Sequence, residues 1–144
     1  MMRVVLDSNV WLDWLFFDDP RVAPLKAAWD NRQLDIVIDV PCRDELVRVL
    51  GYERFELDPP AQATMLSEVD RLTTLLLDLS YVPTYQLPHC SDPDDVKFLA
   101  LAEASQADWL ITKDNALLGR RRKRLRESTR YRIGTPAQWS GAAT

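Results

Sequence analysis

The chain has few of the residues that most metal, redox and secreted frameworks need, with two cysteines and one histidine in 144 residues. Cys42 and Cys90 lie far apart and show neither redox nor zinc spacing, which argues against a disulfide scaffold or a cysteine-rich zinc module. The lone His89 follows a proline in an expected loop and is given no catalytic role. Long apolar runs are missing too. Leu75-Leu76-Leu77 and Trp14-Leu15-Phe16-Phe17 fall far short of the roughly 20 residues that span a bilayer. An acid at position 7 stands where the apolar stretch of a signal peptide would run. The expectation is a cytoplasmic chain with reduced thiols and no membrane partner. Only 4 glycines and 9 prolines accompany 47% apolar and 28% charged residues, a balance that excludes collagen-like or disordered chains. One domain over residues 1–144 with one core is the expected organisation.

Basic charge is scarce except in one place. The formal net charge is -4, from 18 Lys plus Arg against 22 Asp plus Glu. Residues 120–132 hold eight of those basic residues and one acid, a local +7 that leaves -11 for the rest. An acidic body thus carries a basic segment near its C-terminal end, and the overall sign alone does not exclude a nucleic-acid partner.

The order of elements follows from where apolar runs stop. Val4-Val5-Leu6 reads as a strand that ends at Asp7-Ser8-Asn9, residues that start helices. Helical spacing follows over Val10–Phe17 and Arg21–Asn31, and Leu34–Ile38 reads as a second strand. Pro41 opens a helix that Gly51 closes, and a longer helix is expected from the Pro59-Pro60 pair to about Leu79. Tyr81–Leu87 is expected to be a short strand or extended link. Ser91-Asp92-Pro93-Asp94-Asp95 is a helix start with a capping residue, a first-turn proline and acids that suit the helix dipole. Trp109–Thr112 is the next strand, and Tyr131–Ile133 a last edge strand. Strands alternating with helices predict an α/β fold, a three-layer α/β/α sandwich around a mainly parallel sheet. In such sheets ligands bind beyond the carboxyl ends of the strands, where strand order reverses.

Acids gather at that edge. Asp7 ends the first strand and Asp114 lies just past a later one. Asp95 begins the helix leading into that later strand, and Glu45 lies in the first turns of the helix after the second strand. Glu45 rather than adjacent Asp44 directly precedes the apolar Leu46-Val47 pair, which turns it inward. Asp92 is placed to cap its helix and stands as an additional candidate acid, whereas Asp94 reads as a solvated first-turn residue. Four convergent carboxylates with no intervening cation repel one another unless protons or metal compensate. Mg²⁺ or Mn²⁺ suits such an all-oxygen set, and the chemistry implied is metal-assisted phosphodiester hydrolysis.

The run Val4-Val5-Leu6-Asp7-Ser8-Asn9-Val10, then Glu45-Leu46, Asp92-Pro93-Asp94-Asp95-Val96-Lys97-Phe98-Leu99 and Leu110-Ile111-Thr112-Lys113-Asp114, resembles the PIN-domain ribonucleases, particularly the toxins of bacterial toxin-antitoxin systems. The resemblance runs from residue 3 to about 139. It implies an Mg²⁺- or Mn²⁺-dependent endoribonuclease that leaves a 5′-phosphate and a 3′-hydroxyl. The catalytic and metal-binding acids fall on Asp7, Glu45, Asp95 and Asp114, with Asn9 and Thr112 orienting carboxylates or substrate. Asn115 stands where some relatives carry another acid. The partners implied are RNA, a cognate antitoxin that covers the groove, and a second copy in a homodimer. The five tryptophans read as core or interface residues, with Trp11 and Trp14, near the first helix, as candidates for a dimer contact.

Arg120, Arg121, Arg122, Lys123 and Arg124 are candidates for contact with RNA phosphates, with a solvated face or an antitoxin-docking segment as the other uses. Two further readings of the acidic edge are open on the sequence. One is an Mg²⁺-binding, receiver-like signalling domain, which needs a lysine on a strand neighbouring the aspartate; Lys113 instead adjoins Asp114. The other is a PIN module that binds RNA or protein without catalysis.

Overall fold

The computed structural model describes residues 1–119 and 122–143. Its centre is a five-stranded sheet of order β3-β2-β1-β4-β5 with every pairing parallel. The strands are β1 (Met2–Leu6), β2 (Leu34–Ile38), β3 (Thr73–Leu75), β4 (Trp109–Ile111) and β5 (Arg132–Gly134). Helices α1 (Ser8–Leu15), α2 (Ala23–Asp30), α3 (Val40–Leu50), α4 (Pro59–Leu72), α5 (Pro93–Ala104), α6 (Asn115–Leu118), α7 (Lys123–Ser128) and α8 (Pro136–Ala143) connect and flank them. The result is a three-layer α/β/α sandwich.

The central strands are the most apolar ones. Val4, Val5 and Leu6 of β1 and Leu110 and Ile111 of β4 are all buried, as expected for strands covered on both faces. Val4 pairs with both Ile36 and Trp109, so β1 sits between β2 and β4. The chain moves outward from β1 through β2 to β3, then returns across the sheet to β4 and β5. Strand order therefore reverses between β1 and β4. Helix α5 makes the return crossing, packing on β1 and against α3, while α2 lies on β2 and against α8. Among the described residues no helix is long and apolar enough to cross a membrane.

Helix starts follow the acid-and-proline signals. Asp39, Asp58 and Asp92 cap α3, α4 and α5, each accepting a backbone N–H of the first turn, with proline in that turn. Two departures concern the edges. The helix expected to reach Leu79 stops at Leu72, because Thr73 and Thr74 join the sheet and pair with Ile36 and Val37; β-branched residues favour that extended state. Tyr81–Leu87 forms no strand but a single 3₁₀ turn at Thr84–Gln86, so β3 is the edge on that side. Of the two uses open for Trp11 and Trp14, the core is the one found: both are buried within the chain itself, their rings 5.9 Å apart.

Candidate metal centre

The reversal of strand order leaves a gap at the carboxyl ends of β1 and β4, and acids from three segments fill it. Asp7 follows β1 and caps α1: its Oδ1 accepts the Ser8 N–H at 2.7 Å. Its Oδ2 accepts the hydroxyl of fully buried Thr112, also at 2.7 Å. Thr112 Oγ1 in turn accepts the Asp114 N–H at 3.0 Å. Asp114 caps α6 through Oδ1, which accepts the Ala116 N–H at 2.9 Å. One threonine thus ties the loop after β4 to the acid after β1. Asn9 adds a second tie, its Oδ1 accepting the Lys113 N–H at 3.2 Å.

Asp95 reaches the same gap from α5 and is 4% exposed. Donor oxygens of Asp7, Asp95 and Asp114 all lie within 4.8 Å of one another. Burial pushes the Asp7 carboxyl up to about 6 against the hydrogen bonds from Thr112 and Ser8, and the charges of Asp114 and Asp92 raise it further. Asp95 is raised well above the carboxylate range, first by burial, then by the adjoining Asp114 carboxyl and the charges of Asp7, Asp114 and Asp92. Its buried Oδ2 has no hydrogen-bond partner. An orphaned acceptor among three hard oxygen donors fits a small divalent cation, and without one the cluster must hold a proton.

The fourth acid expected at the site is close by but differently placed. Glu45 on α3 is 6% exposed and lines the same cavity of about 240 Å³, while Asp44 is exposed. Glu45 is not in the group of three. It accepts from Arg48 at 2.7 Å and from Lys97 at 2.9 Å. Arg48 also reaches Asp94 at 3.1 Å. The expectation of four acids with no intervening cation is therefore corrected at this corner. The sequence held the signal: Arg48 lies three residues after Glu45 on the same helix face. Lys97 was not recoverable that way, since its pairing depends on α3 packing against α5. Asp92 is half-buried at the cavity wall and its Oδ1 accepts the Asp94 N–H, the capping role read from the sequence.

Lys113 Nζ pairs with Asp13 at 2.6 Å and so does not supply the lysine that the receiver-like alternative needs. In the basic segment, Arg120 and Arg121 lie outside the described residues. Arg122 is half-buried, Lys123 and Arg124 are exposed at the start of α7, and Lys123 faces Glu127 at 3.7 Å. The rest of the run has structural partners. Arg126 donates to the Leu117 and Gly119 carbonyls, Arg130 to that of Glu103, and Arg132 lies over the Trp109 ring.

The sequence profile of the PIN domain matches residues 3–116, most of the chain and all the acids of this cavity. The chain belongs to the PIN domain family. No curated protein and no solved structure matches it significantly. PIN domains are in general metal-dependent nucleases, and that membership together with the three-aspartate cluster supports hydrolysis of phosphodiester bonds. In this PIN domain β5, α7 and α8 lie beyond the matched segment. Helix α8 completes the sandwich with Trp139, buried and donating its indole N–H towards Met2 Sδ at 3.1 Å.

Proposed function

We propose that this PIN domain is an Mg²⁺- or Mn²⁺-dependent endoribonuclease, the toxin of a toxin-antitoxin pair. The observation that carries the nuclease reading is the convergence of Asp7, Asp95 and Asp114 with an unpartnered, buried Asp95 Oδ2. These three would hold the cation, which when bound supplies positive charge to the phosphate and makes water a better nucleophile. The remaining tasks fall to the chain. Thr112 fixes the spacing of Asp7 and Asp114, and Asn9 anchors the loop that carries Asp114. Glu45, held by Lys97 and Arg48, is positioned to orient the attacking water. Arg48, half exposed, presents a cation to an incoming phosphodiester.

RNA as substrate, an antitoxin as inhibitor and a homodimer as the working form rest on the likeness of the four sequence stretches to the toxin ribonucleases. Arg122, Lys123 and Arg124, with Arg120 and Arg121, are the proposed phosphate contacts. The test is cleavage of labelled RNA by the purified protein with Mn²⁺, with EDTA and Asp7→Asn as controls. Cleavage stopped by both supports the mechanism, and cleavage that survives both sinks it. Binding without cleavage of any RNA would point instead to a silent module. A partner protein that co-purifies and suppresses cleavage would support the toxin assignment.

A further inference from the structure

Next to the acidic cavity the chain displays two exposed aromatic rings. Phe16 and Phe17, at the end of α1, are 36% and 57% exposed. Their exposure is built in. Both N–H groups donate to the Leu12 carbonyl, at 2.8 and 3.0 Å, and the chain then turns at Asp18 with φ 46. The Asp18 carboxylate pairs with Lys26 at 2.8 Å. The Phe16 ring stands edge-on to Phe17 at 4.9 Å and to Phe55 at 5.2 Å. Over Phe55, at 4.9 Å, lies the guanidinium of Arg54, which is also 5.2 Å from the Tyr52 ring. Arg54 is exposed and, among the described residues, forms no ion pair with a carboxylate.

This patch is continuous with the acidic cavity. Leu12 and Arg54 line both that cavity and an apolar recess of about 360 Å³ walled by Phe16, Phe17 and Phe55. Along the axis of α1, at about 1.5 Å per residue, Leu12 lies about 7.5 Å and Phe16 about 13.5 Å beyond Asp7. Exposed rings beside a cation suit a ligand that alternates flat π-faces with negative charges. Unpaired nucleotides have that alternation, and bases stacked within a duplex do not present their faces.

We propose that Phe16, Phe17 and Arg54 form a subsite that stacks an unpaired base and takes the neighbouring phosphate. The inference rests on the nuclease reading above, which supplies the phosphodiester a place in the adjoining cavity. Arg54 supplies the charge complementarity, and Phe17, 57% exposed, the more accessible ring.

The experiment measures binding of a short oligoribonucleotide carrying 2-aminopurine, unpaired or annealed to its complement, to protein carrying Asp7→Asn to prevent cleavage. The unpaired strand should bind more tightly and its fluorescence should be quenched. Phe17→Ala should weaken binding at least fivefold, equivalent to about 1 kcal/mol, and relieve the quench. Phe17→Trp should restore both, whereas Phe17→Leu should not, which separates stacking from plain apolar contact. Arg54→Ala should weaken binding and flatten its salt dependence. Both side chains are exposed, so circular dichroism should show folded variants. Equal binding by the parent and the Phe17→Ala and Arg54→Ala variants, or equal affinity for duplex and single strand, overturns the inference. So does a change in oligomeric mass by light scattering with RNA affinity unchanged, which would make the patch a protein contact. The two readings fail separately. Stacking without metal-dependent cleavage by the wild-type chain would strike the nuclease reading alone, while cleavage with no effect of Phe17→Ala would strike the subsite alone.

Discussion

Replacing Asp95 by asparagine should stabilise the metal-free protein at pH 8 and remove most of its response to Mn²⁺. Asp95 is 4% exposed, its Oδ2 has no partner, and Asp7 and Asp114 present donor oxygens within 4.8 Å. An unsatisfied buried polar group costs about 1–3 kcal/mol, and more when charged. The amide keeps the shape, is neutral without having to hold a proton and can donate to the neighbouring carboxylates, so a gain of about 1–3 kcal/mol is expected in EDTA. Asp7 sets the pH window. Its folded-state value rises from 3.8 to about 6, which at about 1.4 kcal/mol per pH unit is about 3 kcal/mol. Between those values the native state holds a proton that the unfolded chain has lost. Stability therefore falls as pH rises from about 4 to 6 and levels off above. Asp95, also raised, extends the fall in the same direction to higher pH. Mn²⁺ at a hundred times its Kd adds about 2.7 kcal/mol, or about 8 °C in Tm for a chain of this size. The assay is thermal unfolding at pH 5 and pH 8 in EDTA or Mn²⁺. The wild type should melt lower at pH 8 than at pH 5 in EDTA and recover with Mn²⁺, while Asp95→Asn should melt higher in EDTA and shift little with Mn²⁺. A wild-type Tm independent of pH, or an unchanged Mn²⁺ shift in the variant, would refute the reasoning.

Thr112→Val should lower Mn²⁺ affinity about 10- to 100-fold, as removal of groups behind metal ligands does, because the lost hydroxyl joins Asp7 Oδ2 to the Asp114 N–H; calorimetric titration reads it. Glu45→Gln should cost about 1–2 kcal/mol in urea unfolding, since Lys97 and Arg48 lose their charged partner, while Mn²⁺ affinity falls less than tenfold because Glu45 stands outside the group of three. Gly134→Ala should destabilise by about 1–3 kcal/mol, since its methyl group would meet Gln138 Oε1 at 2.8 Å and the Trp109 ring at 2.9 Å; a Tm equal to wild type would contradict that crowding.

The elements that carry the site were the most legible ones. Val4-Val5-Leu6 before Asp7, and Trp109–Ile111 before Asp114, announce buried parallel strands by unbroken apolar runs followed by capping residues. Asp92 and Pro93 announce α5 in the same way. The edges were less legible because their signals compete. Leu72, Leu76 and Leu79 keep helical spacing across Thr73-Thr74, and only the pairing of those threonines with β2 decides for a strand. Tertiary pairing overrides local periodicity there. The partners of Glu45 divide similarly: Arg48 is local, and Lys97 arrives from 52 residues away.

That division separates the cavity's acids into two electrical kinds. Glu45 is ion-paired with Lys97 and Arg48. Asp7 and Asp114 have hydrogen bonds that orient them, from Ser8, Thr112 and Ala116, Asp95 Oδ2 has none, and no side-chain cation is paired with any of the three among the described residues. Lys113, the nearest lysine in sequence to Asp114, is turned to Asp13 instead. Such a cluster can be relieved only by something that arrives, a proton or a metal ion, and each relief excludes part of the other. Mn²⁺ binding should therefore release protons, because Asp95 and part of Asp7 must ionise to serve as ligands. The count should fall as pH rises through about 6, where Asp7 gives up its proton beforehand, and should leave the Asp95 proton as the one released at higher pH. Calorimetric titration in two buffers of different ionisation enthalpy measures that count directly. Binding with no proton release at pH 6 would mean that the metal is held elsewhere in the chain.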